Sequence, residues 1–180
     1  MTRVLVAYGS KHGATREIAE AIADEIRRAG HAVDCTAADA VRGVDDFDAT
    51  VIGSAVYMKR WRSDARRLLK RNARALGSRP LWVFSSGPCG ENPDPRWSEP
   101  GKIVAQAERL GAREHVVFGG RLPVEPANFM ERSMVNGCPP EHRDLRDWDE
   151  IRAWGAGIGR ELGARDVESS GPLSGHASSA

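Results

Sequence analysis

Residues Arg3–Ala19 read RVLVAYGSKHGATREIA, carrying the chain from an apolar run through a loop of glycine, hydroxyl and cation into a helix. Arg3 to Tyr8 has the length and apolar content of a buried strand. Ala14 to Ala29 then repeats Ile18, Ala21, Ile22 and Ile26 at mostly helical spacing until Gly30 stops it. A strand, a tight loop and a helix in this order begin a parallel crossover unit, and the question is whether the rest of the chain continues it.

It does. His31 to Thr36 is a weaker second strand with Val33 and Cys35 on one face, and Ala49 to Ser54 is a stronger third one behind the acidic turn DDFD. Ser63 to Leu76 starts as a helix at Ser63-Asp64 and aligns Ala65, Leu68, Leu69, Ala73 and Leu76 in one stripe, leaving its basic residues on a solvated face. Pro80 to Ser85 is the fourth strand, Lys102 to Leu110 a helix, and Glu114 to Arg121 the fifth strand. Asp147 to Leu162 closes with a helix that repeats Trp148, Ile151, Trp154, Ile158 and Leu162 at spacings of three and four. Strands alternating with helices predict a doubly wound α/β fold, a five-stranded parallel sheet with helices on both faces, because right-handed crossovers lay the helices across the sheet. Residues 1–165 form one domain in this reading. Residues 166–180, DVESSGPLSGHASSA, lack apolar periodicity and are expected to be a disordered tail.

Composition narrows the function. Lys+Arg 26 against Asp+Glu 25 gives a net charge of +1, without the basic field that nucleic-acid binding leaves. Cys35, Cys89 and Cys138 form no C-x-x-C pair and no metal-ligand spacing, which favours a reduced, cytoplasmic setting and no metal site. The N-terminus lacks the apolar core of a signal peptide and no run reaches membrane-spanning length, so a soluble protein is expected, with peripheral membrane contact left open.

In a doubly wound sheet, ligands bind beyond the carboxyl ends of the strands. The loop Gly9 to Thr15 lies at such an end. Ser10 and Thr15 offer hydroxyls, Gly9 and Gly13 allow close backbone approach, and the helix beginning at Ala14 presents free N–H groups to an anion. A phosphate monoester suits this cradle. The G-x-x-x-x-G-K-[ST] string is absent, and Lys11 stands where G-x-G-x-x-G needs its second glycine, so triphosphates and dinucleotides lose ground. By itself the loop also fits a plain strand-to-helix turn.

Two further loops leave the same sheet edge. Tyr57 and Trp61 follow the third strand, where turn residues would be usual, and aromatic faces beside a phosphate site suit a flat heterocycle. The fourth strand opens into SSGPCGENPDPRWSEPG, whose Ser85, Ser86, Gly87 and Gly90 offer hydroxyls and amides, with Trp97 beyond. Cys89 has neither a nearby histidine nor a helix start, so it reads as an unreactive thiol. His12 reads as facing phosphate or solvent rather than as a general base.

The string VAYGSKHGATREIAEAI resembles the phosphate-loop signature of the flavodoxin-like family, with Tyr8, Ser10, Gly13, Thr15 and Ala19 in the signature positions. The resemblance implies a sheet of strand order 2-1-3-4-5 with non-covalently bound FMN. Ser10, Lys11, His12, Gly13, Ala14 and Thr15 would surround its phosphate. Ala55, Val56, Tyr57 and Met58, with Trp61, would flank the isoalloxazine ring, and Ser85, Ser86, Gly87, Pro88, Cys89 and Gly90 would bind its pyrimidine edge. The strings VIGSAVYMKRW, FGGRLPVEPANFMERSMVNG and RDWDEIRAWGAGIGREL look most like the flavodoxin-domain branch that contains menaquinone-dependent protoporphyrinogen IX dehydrogenase. That implies an FMN-dependent oxidoreductase acting on a small molecule such as protoporphyrinogen IX or a quinone, with the flavin N5 carrying the chemistry and no catalytic side chain. An electron carrier serving a redox protein is the competing reading. The near-neutral charge, with Lys59, Arg60, Arg62, Arg66 and Arg67 near the ring edge, speaks against the acidic face such carriers use. A cofactor-free binding module is the third. Met130 and Met134 could touch substrate, a membrane surface or only the core, and methionines at that spacing read more readily as packing.

Overall fold

Along the first strand Val4 and Val6 turn to one face and Leu5 and Ala7 to the other, and all four are buried. That is the mark of a strand covered on both sides. The computed structural model describes residues 1–57, 59–87 and 101–169. In chain order these form β1 (Arg3–Gly9), α1 (Ala14–Arg28), β2 (Ala32–Ala37), β3 (Ala49–Tyr57), β4 (Arg60–Trp61), α2 (Ser63–Arg71), α3 (Ala73–Leu76), β5 (Leu81–Ser86), α4 (Gly101–Arg109), β6 (Glu114–Phe118), α5 (Phe129–Asn136), a 3-10 turn (Pro140–His142) and α6 (Trp148–Ser169).

Five strands pair in parallel in the order β2-β1-β3-β5-β6, and the two-residue β4 folds back antiparallel on the end of β3. With β4 set aside, this is the expected order 2-1-3-4-5. One face packs Val4, Val6, Val51, Trp82, Phe84 and Phe118 against α1 and α6, through Ile18, Ile22, Ile26, Ile151, Ile158 and Leu162. The other packs Leu5, Ala7, Ile52, Leu81 and Val83 against Leu68, Leu69, Leu76, Ile103 and Ala107 of α2, α3 and α4. Each fully buried isoleucine of α1 contributes about 1.5–3 kcal/mol of transfer free energy.

Two helices depart from the sequence reading. The helix expected over Ser63–Leu76 breaks at Asn72, whose side-chain amide donates to the Leu68 carbonyl at 3.0 Å and competes with the backbone ladder. The last helix continues to Ser169, four residues into the stretch expected to be unstructured. Close packing positions α6 on α1: a Cβ on Gly159 would lie 2.6 Å from the Ala29 Cβ, and the buried His31 donates from Nε2 to the Gly159 carbonyl at 2.9 Å. These contacts fix the C-terminal end of α1, while Ile18 and Ala19 in the same core cluster hold the end nearer the phosphate loop.

Candidate functional site

The chain leaves β1 for β2 on one side of the sheet and takes up β3 on the other, so the loops after β1 and β3 diverge and open a crevice. Register brings the three relevant strand ends level: Gly9 pairs with Ser54, Ser54 with Ser85, and Ala55 with Ser86. Over them lies a cavity of about 330 Å³. Two larger grooves, of about 510 and 550 Å³, lie beside α4 among several lysines and arginines, the first reaching Lys59–Trp61 just after β3; neither includes the β1–α1 loop.

Ser10, Lys11, His12, Ala14 and Thr15 form one wall of the cavity. Gly13 sits beneath them at φ 86°, a left-handed turn that a side chain would strain. Its N–H donates to Ser10 Oγ at 3.1 Å, which leaves the serine hydroxyl hydrogen to serve another acceptor. The first helical bond of α1 runs from Glu17 N–H to the Gly13 carbonyl at 3.0 Å, and no side chain caps this end. The first-turn amides of Ala14, Thr15 and Arg16 therefore precede the helical ladder, at the positive end of the helix dipole. This donor set of hydroxyls and amides fits a phosphate.

Ala55, Val56 and Tyr57 form the second wall, and Ser86 with Gly87 the floor between. Tyr57, 43% exposed, stands on this wall with its ring partly open to solvent. Trp61 does not. The chain turns tightly after Tyr57, with Lys59 at φ 60°, and β4 pairs Trp61 with Val56 and Arg60 with Tyr57. Trp61 is 2% exposed and packs in the core with Ala65, Leu68 and Ile103, so its expected place beside the ring is corrected to one under the hairpin. A buried indole needs a partner for its N–H; it donates to Ser85 Oγ at 2.8 Å, and that hydroxyl lies 3.0 Å from His115 Nε2. Ser85, fully buried, is thereby drawn inward and does not line the cavity. Met58, Pro88, Cys89 and Gly90 lie outside the described residues.

The third wall was not read from the sequence. Gly120, Arg121, Leu122, Pro123, Asn128, Met130, Glu131 and Met134, from the segment after β6, close over the cavity. Asn128 caps α5 by accepting from the Glu131 N–H at 2.9 Å, and the string NFME, a polar cap residue three before a glutamate, is a sequence signal for that helix start. Glu131, only 8% exposed, is the hub. Its carboxylate accepts from Lys11 Nζ, from His12 Nε2 at 3.0 Å and from the Ala127 N–H at 2.8 Å. The Lys11 hydrogen bond above all, then those from Ala127 and His12, hold its pKa down to about 2. Farther down, Arg121 and the buried Arg146 converge on Glu17 of α1 at 2.8 and 2.7 Å, and Arg146 also holds Asp144 at 2.6 Å. Partial burial of Glu17 opposes its charge, but the hydrogen bond from Arg146 and the charge of Arg121 prevail and keep its pKa low. Met130 and Met134, expected in packing, are 68% and 53% exposed at the cavity mouth.

The flavodoxin-domain family profile matches residues 5–144, so the chain belongs to the flavodoxin-domain family. FMN is the cofactor this membership implies. Among solved structures, an archaeal flavodoxin is 15% identical with a TM-score of 0.59, over 89% of this chain and 99% of its own. Two-electron reduced flavodoxin from Megasphaera elsdenii is 17% identical at 0.59, over 87% and 98%. Rubredoxin oxygen:oxidoreductase from Desulfovibrio gigas is 15% identical at 0.64, over 93% of this chain and 37% of that longer one. At such identities the likeness is one of fold. A search of curated protein sequences returns no match. No helix among the described residues is long and apolar enough to cross a membrane.

Proposed function

We propose that the chain is an FMN-dependent oxidoreductase whose substrate enters past α5. The observation that carries this reading is the third wall: Met130 and Met134 stand exposed at the mouth of the same cavity that the phosphate loop and Tyr57 line. Ser10, Thr15 and the first-turn amides of α1 bind the phosphate group. Ala55, Val56 and Tyr57 orient the ring, and Ser86 and Gly87 face its polar edge. Bound there, FMN supplies a two-electron reservoir, while the protein sets orientation and electrostatics.

The methionines give a soft, adaptable apolar lip, and Phe129 beside them is 86% exposed. Such a lip suits a largely apolar ring substrate, such as a quinone or protoporphyrinogen IX. An electron carrier would present a charged docking rim instead, and the net charge of +1 supplies no acidic field for steering. The test is bleaching of bound flavin under anaerobic conditions with protoporphyrinogen, NAD(P)H and reduced quinones in turn. Rapid bleaching by one of these small molecules supports the enzyme; bleaching only through a redox protein supports the carrier. Protein that is colourless and takes up no added FMN would leave the cofactor-free binding module.

A further inference from the structure

Every cation lining the cavity among the described residues already faces a carboxylate. Lys11 and His12 face Glu131, and Arg121 faces Glu17. The loop meant to receive an anion is thus matched by an anion from its own chain, carried 120 residues away on α5. We propose that Glu131 competes with the cofactor's phosphate for Lys11 and His12, so that it sets the affinity and selectivity of the site for phosphate monoesters.

The geometry gives this exchange its means. The Lys11 side chain is 37% exposed whereas the Glu131 side chain is 10% exposed, so the flexible partner of the pair is the lysine. The carboxylate stays anchored by the Ala127 N–H and by the start of α5. A phosphate seated between Ser10 and Thr15 lies on the same loop as Lys11 and His12 and draws on the same donors. With Glu131 in place, that phosphate meets Lys11 already neutralised; without it, the loop offers a free positive charge. Lys11, His12 and one buried carboxylate therefore tune the site, and riboflavin, which has no phosphate, is indifferent to them.

This inference rests on the FMN reading, and its test separates the two. FMN and riboflavin are titrated by flavin fluorescence against the wild type, Glu131→Gln, Lys11→Met and the double variant. Glutamine retains an acceptor for the Ala127 N–H while removing the charge. The expected result is that Glu131→Gln tightens FMN about tenfold, Lys11→Met weakens it about tenfold and the double variant returns to within about threefold of wild type, as one charge near another in a partly screened site dictates. Riboflavin binding stays level throughout. In parallel, orthophosphate, against a chloride control of equal ionic strength, raises the Tm of Glu131→Gln more than that of wild type. Glu131→Gln binding FMN no more tightly, or FMN and riboflavin changing together, overturns the proposal. If wild type binds neither flavin, the FMN reading fails and the orthophosphate comparison alone decides: an equal response in both proteins overturns the competition.

Discussion

The cavity has two kinds of wall. The β1–α1 loop and the ends of β3 and β5 come from elements that the sheet register fixes, with the start of α1 anchored by its own packing. The wall formed by residues 120–134 comes from a connection tied down by polar contacts: Glu131 to the phosphate loop, Arg121 and Arg146 to Glu17, and backbone hydrogen bonds between residues 120–122 and 143–145. Packing holds the first and polar contacts hold the second, so the first is a scaffold and the second is adjustable. In the proposed reading the scaffold wall seats the cofactor, while the adjustable wall tunes the hold on its phosphate through Glu131 and meets the substrate.

The difference can be broken at its packed side first. Trp61→Ala removes a buried ring and leaves Ser85 without its indole donor; a loss of about 3–5 kcal/mol is expected in denaturant unfolding, with the ratio of FMN to riboflavin affinity unchanged. Thr15→Asp comes next. An anion at the start of α1 repels the phosphate, and FMN affinity is expected to fall about 100-fold while riboflavin affinity moves far less, read by fluorescence titration.

These two residues also show what the sequence could and could not disclose. The place of Thr15 on the cavity wall was legible because a hydroxyl in the first turn of a helix that follows a glycine loop has few uses. Trp61 was misread because its position depends on a two-residue strand whose pairing with Val56 leaves no periodic trace. The sheet order was legible through the alternation of short apolar runs with helical stripes. Glu131 was not, since its partners Lys11 and His12 are remote in sequence and a glutamate on a mixed polar segment looks like surface. Met130 and Met134 sit at helical spacing, which by itself reads as packing; only the position of α5 over the cavity makes them a rim.

Smaller effects test the adjustable wall. Glu131 and Glu17 have carboxyl groups held below their ordinary range in the fold, so they contribute stability above the unfolded-state pKa and lose it as pH falls. For Glu131 that loss runs from its ordinary value of 4.5 down to about 2. Unfolding free energy measured against pH is expected to fall more steeply through this window in wild type than in Glu131→Gln, the two curves converging at the acid end. Met134→Ala is the mildest change: stability within about 0.5 kcal/mol of wild type, because the side chain is half exposed, with a raised KM for an apolar electron acceptor.

In the proposed reading the phosphate loop holds a flavin monophosphate in this cavity. Titration of the wild-type protein with FMN and with riboflavin, side by side and followed by flavin fluorescence, tests it most directly. Saturable one-to-one quenching by FMN is expected, with an affinity for riboflavin at least about 100-fold weaker, as the loss of a group held by several oriented donors requires. Equal affinity for the two flavins, or no binding of FMN, would contradict it.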